Sequence, residues 1–224
     1  MIREFTLDEF VYLLLAARWT LLLSIIALLG GGSVGLLIAL ARASHNRASR
    51  AAAQVYIRVF QGTPLLMQLF LLYFGANIFG VQTDAWTSAA LALTLYCSAF
   101  LGEIWRGCIE AIPAGQWDGA RALALTRSQQ LRLIIVPQAL RIALPPTVGF
   151  AVQAIKSTSL ASVIGFVELT RAAQIVNNAT FRPMLVYASV AVIYFLLCWP
   201  LSVVSQRLER RIGRHQERVM TVSA

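Results

Sequence analysis

The stretch "DGARALALTRSQQLRLIIVPQALR", Asp118–Arg141, carries four arginines and an aspartate between strongly apolar flanks. The chain around it has 224 residues, 58% hydrophobic and only 13% charged, so a polar insert of this size calls for a reason. Trp117–Leu125 reads as a short helix with Ala120, Leu123 and Ala124 on one face and Asp118 and Arg121 elsewhere. Thr126, followed three residues later by Gln129, matches a capping box and predicts a second helix start. In that helix Leu131, Ile134 and Ile135 repeat at i, i+3, i+4 as an apolar stripe, and Arg127 and Arg132 fall outside it. Pro137 predicts a stop or a bend, because proline lacks an amide hydrogen and crowds the preceding turn. The insert reads as two short helices meeting at a tight corner. Such an amphipathic helix fits either a lipid surface or a groove in another protein.

Outside the insert the chain reads as membrane. Mean hydropathy is +0.69, too apolar for an ordinary soluble domain. Trp19–Ala41, Val59–Thr83, Ala85–Gly102 and Pro183–Gln206 are free of charge, and Thr147–Gly165 is interrupted only by Lys156. A spanning helix needs roughly 20 such residues. These windows predict an all-α membrane protein, residues 1–224 forming one domain, with five spans near 19–41, 54–79, 85–107, 145–165 and 184–206 and the polar loop at 113–141. They leave no room for a soluble catalytic module.

The net charge of +9 and pI near 10.3 would suggest nucleic acid in a soluble protein. In a membrane protein, positive charge marks cytoplasmic loops. Arg42, Arg47 and Arg50 follow span one; Arg106, Arg121, Arg127, Arg132 and Arg141 follow span three; Arg207, Arg210, Arg211, Arg214 and Arg218 follow span five. The other side holds Arg3, Arg171 and Arg182, with Arg18 at a membrane edge. This alternation predicts the N-terminus outside, the C-terminus inside and the insert in the cytoplasm. Trp19 and Trp86 then belong to the outer interface and Trp105 to the inner one. The acidic start (Glu4, Asp8, Glu9) and the length of span one predict a retained helix rather than a signal peptide.

Several features lie at membrane depth. Gly31 and Gly35 share a helical face and permit close helix approach, within the chain or between copies. Gly62 and Pro64 predict a break in span two, beside polar Gln61, Thr63 and Gln68. Irregular backbone is tolerated at that depth where it faces protein or a water-filled cavity. Lys156, the only lysine, is expected to face the bundle interior or water, or else to snorkel or pair structurally; Ser157, Thr158 and Ser159 follow it. Leu144–Thr147, "LPPT", predicts the first turn of span four. Cys97, Cys108 and Cys198 lack paired spacing and read as packing residues.

With these residues in view, "DGARALALTRSQQLRLIIVP" resembles the EAA loop of ABC importer permeases. Asp118, Gly119 and Ala120 occupy its E-A-A positions, Ala124 stands where its glycine belongs, and Ile134, Val136 and Pro137 occupy I-x-L-P. "QGTPLLMQLFLLYFG", "AFLGEIWRGCIEAIPAGQ", "VPQALRIALPP" and "KSTSLASVIG" are similar, in the same order, to blocks of the polar amino-acid permease family. Three departures stand out. Gly119 and Ala124 exchange the usual small residues, Asp118 is one methylene shorter than glutamate, and Gln61 replaces a common arginine before G-T-P. A positive φ at Ala124 would strain alanine.

The resemblance implies a multi-pass permease of the bacterial inner membrane that imports a polar amino acid and does no bond chemistry. It implies ATPase subunits seated on the loop, with ATP and magnesium held there and no cofactor in this chain. It also implies a second permease copy and an external binding protein. On that reading Asp118 to Pro137 form the ATPase contact, with Ala120, Leu123 and Ala124 buried in it and Arg127 in polar contact. The helix break and the lone lysine add Gln61, Thr63, Lys156 and Thr158 as the expected route, with Arg58 as a rival or a membrane-edge anchor.

Other functions are disfavoured by the residues themselves. The phosphate-cradling pattern needs lysine after glycine, and Lys156 follows Ile155. His45 and His215, the only histidines, fall in predicted cytoplasmic loops, far from any membrane-depth nucleophile. No His/Glu ligand spacing suggests a metal. A self-sufficient secondary transporter or channel remains the alternative; it would want more spans or an internal repeat and leaves the insert unexplained.

Overall fold

A computed structural model describes residues 4–44 and 46–222, with side chains as far as Ile212. Arg3 and His45, and the side chains of Arg214, His215 and Arg218, lie outside the described residues. The first helix, α1 (Leu7–Ala43), opens with a capping box in which the backbone N–H and hydroxyl of Thr6 meet the Glu9 carboxylate. At a rise of about 1.5 Å per residue it is long enough to cross a hydrocarbon core of about 30 Å. Its buried residues recur every third or fourth position, from Leu13 through Ala16, Thr20, Leu23, Ala27, Gly31 and Gly35 to Ile38.

From Leu23 onward that stripe packs on α4 (Ala85–Glu110). A Cβ on Gly31 would stand 2.5 Å from Cys97 Cβ, and one on Gly35 would stand 3.0 Å from the Ser98 carbonyl. The two glycines therefore serve close packing of α1 on α4 inside one chain.

The second span is broken where Gly62 and Pro64 predict: α2 (Arg47–Gly62) and α3 (Leu65–Ile78) are bent by 101° at Thr63–Pro64, and α2 starts seven residues before the expected span of 54–79. Pro64 supplies no amide hydrogen, and its extended backbone caps α3. The orphaned end of α2 is met by Gln68, whose Nε2 donates to the Phe60 carbonyl (2.9 Å), the Thr63 carbonyl (3.1 Å) and Thr63 Oγ1 (3.0 Å). Among the described residues four helices are long and apolar enough to cross a membrane, or five if the bent pair is one span.

After α4 comes the short α5 (Ala114–Ala122), then α6 (Arg127–Ile164), 38 residues without interruption. Three expectations are corrected here. Pro137 does not stop the run, and "LPPT" is not a start, because Pro145 and Pro146 lie inside the helix. The loop expected at 113–141 ends near Thr126, and span four begins within it. The physical reason is local. Gln130–Ile135 is wound as a π-helical turn, with the Val136 N–H donating to the Leu131 carbonyl, and this wider turn gives the Pro137 ring room. Further on, Ser205 Oγ donates to the Pro145 carbonyl at 2.9 Å and Thr147 Oγ1 to the Ala143 carbonyl at 2.6 Å. The first of these ties the proline turn to the last helix of the chain; the carbonyls that Pro145 and Pro146 themselves leave without a ladder partner are those of Arg141 and Ile142, four residues back.

Helix α7 (Leu169–Thr180) was not anticipated; α8 (Pro183–Val222) completes the chain. One core joins α1, α3, α4 and α6 through Leu23, Leu69, Leu93, Cys97 and Phe150. A second joins α1, α7 and α8 through Leu13, Leu169, Val186 and Ile193. Large apolar side chains such as Leu37, Leu29 and Phe195 point outward, as lipid-facing surfaces do. All three cysteines are free and buried, as expected of packing residues.

Candidate functional site

The corner between α5 and α6 is built from its backbone. Helix α5 ends in a Schellman motif: the Leu125 N–H reaches the Ala120 carbonyl (3.3 Å) and the Ala124 N–H the Arg121 carbonyl (2.9 Å). Ala124 sits at the left-handed position, φ 53°, where glycine is usual. The expectation of strain at this departure therefore holds. Gly119, by contrast, meets open space where a Cβ would stand, so its exchange costs no steric fit.

The next helix starts as the spacing predicts. Thr126 and Gln129 form the capping box, with the Thr126 N–H and Oγ1 each 2.9 Å from Gln129 Oε1. Gln130, nearly buried, donates to the Leu125 carbonyl at 2.7 Å, and Gln138 donates to Gln116 Oε1 at 3.0 Å, tying α5 to α6. The stripe of Leu131, Ile134 and Ile135 packs with Ile112, Trp117 and Ala139. The Arg127 guanidinium lies 4.6 Å from the Trp117 ring centroid, a cation–π contact. These braces were missed in the sequence, although glutamines beside an apolar stripe were a usable signal.

The expected contact residues separate on this scaffold. Leu123 is 71% exposed, a leucine at the tip of the corner left largely uncovered by the described residues. Ala124, Arg127, Asp118, Gly119 and Pro137 are also exposed, and Asp118 pairs with Arg121 at 3.3 Å. Ala120 is not available to a partner: it is 1% exposed, packed within its own chain. Its role is to seat α5.

The expected route residues separate too. Gln61, Thr63, Arg58 and Lys156 are exposed on the chain's surface. Gln61 Nε2 donates to the Ala99 carbonyl at 3.2 Å, and Thr63 Oγ1 to the Val59 carbonyl at 2.8 Å. Thr158 is fully buried, its hydroxyl donating to the Ile155 carbonyl at 2.8 Å, so it lines no surface of the chain. No hydrogen bond or ion pair joins Lys156 to the group around the break among the described residues. The side-chain amide Oε1 of Gln68 is buried there without a hydrogen-bond partner.

At the other end of the bundle, where Trp19 meets Trp86 edge-on at 6.0 Å, a buried carboxylate was missed. Glu168 accepts from the N–H groups of Thr170 and Arg171 (both 2.9 Å) and from the Tyr194 hydroxyl (3.0 Å). It caps α7 and ties it to α8, and Thr20 of α1 lies 3.4 Å away. Burial pushes its carboxyl above the usual range, and the N–H donors pull it partly back. Among the described residues no group of three His, Cys, Asp or Glu side chains could hold a metal ion.

The sequence and fold compare with known proteins as follows. The chain is 35% identical over 212 residues, 95% of its length and 94% of the relative's, to the probable amino-acid ABC transporter permease protein YckA of Bacillus subtilis. It is 37% identical over 198 residues, 88% of its length and 85% of the relative's, to the L-cystine transport system permease protein TcyB of the same organism. A crystal structure of an amino acid ABC transporter with histidines superposes with a TM-score of 0.85 at 36% identity, covering 89% of this chain and 94% of that one. Residues 31–214 match the profile of binding-protein-dependent transport system inner membrane components. The chain belongs to that family: it is a multi-pass permease subunit of an ABC transport system.

Proposed function

We propose that this subunit imports a polar amino acid across the bacterial inner membrane, with its N-terminus outside and the α5–α6 corner in the cytoplasm. Separate ATPase subunits seat that corner and hold ATP and magnesium. A second permease copy completes the pathway, and an external binding protein delivers the solute. The observation that carries this reading is the corner itself: Leu123 stands uncovered on a rigid, multiply hydrogen-bonded turn flanked by Arg121 and Arg127. An exposed apolar anchor ringed by charge has the form of a protein-contact hot spot. Asp118, Gly119, Ala124 and Arg127 lie on the same exposed corner, and Pro137 is exposed further along α6. Amino-acid cargo is supported by the relatives' names.

For the route, Gln61, Thr63 and Arg58 at the break and Lys156 on α6 are polar groups that a pathway between two copies can use. Lys156 is suited to attract the solute's carboxylate.

The test is ATP-dependent uptake into vesicles reconstituted with the permease and its ATPase, with ATP enclosed and the binding protein and its solute supplied outside. Leu123→Asp should leave the melting temperature near the parent's and reduce ATP-dependent uptake by at least about thirtyfold, the loss of one anchor of about 2 kcal/mol or more. Retained uptake in that variant, or uptake driven by an ion gradient in vesicles holding this chain alone, overturns the proposal.

A further inference from the structure

Two concave features on one side of the bundle run into each other. The first is a groove of about 770 Å³ between α1, α4 and α6, lined almost wholly by apolar groups that include Leu36, Leu40, Leu101, Trp105 and Leu140. The second is a cleft of about 670 Å³ where the ends of α1 and α4 meet α2 and α5. They share Ile109, and the groove's stripe on α1 (Gly32, Leu36, Leu40) continues into Ala43 and Ser44 of the cleft. Both volumes fall in the range of sites that hold one small molecule.

The cleft is charged in one sense. Five arginines line it against two carboxylates, Glu110 and Asp118. Three of the arginines are already engaged. Arg106 is paired with Glu103 and Glu110, Arg121 with Asp118, and Arg127 lies on Trp117. Two are in no salt bridge among the described residues, although Arg42 also feels the Glu103 carboxylate at longer range. Arg42 donates through Nη1 to Gln54 at 3.2 Å, while its Nε is buried with no hydrogen-bond partner. Arg50 makes no ion pair among the described residues. A free protein partner would match the cleft or the groove, but one molecule that needs both is half anionic and half hydrocarbon. A basic pocket between spanning helices at a membrane surface is the setting in which anionic headgroups bind.

We propose that the groove and cleft form one binding site for an anionic phospholipid, its headgroup phosphate at Arg42 and Arg50 and an acyl chain along Gly32, Leu36 and Leu40. The site lies beside the α5–α6 corner: Trp117, Asp118, Arg121 and Arg127 form its far wall. A lipid held there tethers the corner to α1, so the membrane's anionic lipid content sets how firmly the corner is held. The inference stands apart from which solute the protein carries.

The test is native mass spectrometry of the full-length permease in complex with its ATPase, in micelles carrying either phosphatidylglycerol or phosphatidylcholine with the same acyl chains. Retention of one phosphatidylglycerol per permease copy, and loss of phosphatidylcholine, is expected. At roughly fivefold per arginine near an anionic surface, Arg42→Gln with Arg50→Gln should weaken phosphatidylglycerol binding about twenty-five-fold. Arg207→Gln with Arg210→Gln should leave it unchanged. Gly32→Leu supplies an independent arm. A Cβ there meets only Trp105 Cη2, at 3.6 Å, so the side chain fits, fills the groove and displaces the lipid without touching the charges. Equal retention of both lipids, or full retention in either cleft or groove variant, overturns the proposal. Lipid bound only after removal of the ATPase also overturns it, by assigning the cleft to that subunit; a groove found closed by a second permease copy does the same. The readout is lipid mass rather than uptake, so failure here leaves the transport proposal intact.

Discussion

Ala124→Gly should make the protein more stable, although it removes a methyl group and touches no core residue. An L-residue in the left-handed region carries about 1–2 kcal/mol of clash between its Cβ and the following carbonyl, and Ala124 is held there at φ 53° by the Schellman hydrogen bonds. Glycine removes the clash. It also frees the unfolded chain, at about 0.4–1 kcal/mol. The net gain is about 0.5–1 kcal/mol, or roughly 2–3 °C in Tm for a chain of this size. Ala124→Val moves the other way, because a β-branched residue at positive φ is a true outlier; its Tm should fall by at least about 2 °C. The buried thiols provide the assay. Cys108 lies in the last turns of α4, beside Ile109 and Ile112, which pack in the cluster under the corner. A thiol-reactive fluorophore added during heating in detergent reports its exposure. A glycine variant no more stable than the parent, together with a valine variant no less stable, would refute the claim that the corner is strained.

Gly31→Val drives its Cβ into Cys97 and should cost about 2–3 kcal/mol in the same melt, whereas Gly107→Ala meets open space and should gain about 0.5–1 kcal/mol from helix propensity. Because the folded-state pKa of Glu168 is raised above its ordinary value of 4.5, its contribution is present below that pH and declines as pH rises through the folded value. The Tm of Glu168→Gln minus that of the parent should therefore be more positive at pH 8 than at pH 4.5 in tryptophan-fluorescence melts; an unchanged difference contradicts the assignment. Lys156→Met should raise the KM for uptake about tenfold or more with little change in stability, and an unaltered KM removes Lys156 from the route.

What could be read in advance follows from how local each signal was. The Thr126/Gln129 capping box, the Leu131–Ile135 stripe and the Gly62–Pro64 break are decided within a few residues, and each sits where the sequence places it. Membrane character followed from apolar windows longer than any globular helix needs. The continuity of α6 was hidden because Pro137, Pro145 and Pro146 are breakers by local rule, while the π turn before Pro137 and the packing of the Pro145 turn on Ser205, 60 residues away, are set by the tertiary fold. The burial of Ala120 and Thr158 was likewise invisible, since which face of a helix is covered depends on neighbours distant in sequence. Helix α7 escaped notice because its polar Thr170, Arg171, Gln174 and Asn177 resemble a loop, while Glu168, which starts it, reads as a stray charge.

The unbroken length of α6 has a mechanical consequence. Thirty-eight residues at about 1.5 Å each make a rod of about 57 Å, with the exposed corner at one tip and Lys156 about three-quarters of the way along. Tilting it by about 5° about the corner sweeps the lysine through roughly 4 Å, comparable to the width of a solute's headgroup. A displacement applied at the tip reaches membrane depth as far as the π turn at Gln130–Ile135 and the turns at Pro137, Pro145 and Pro146 pass it on without bending.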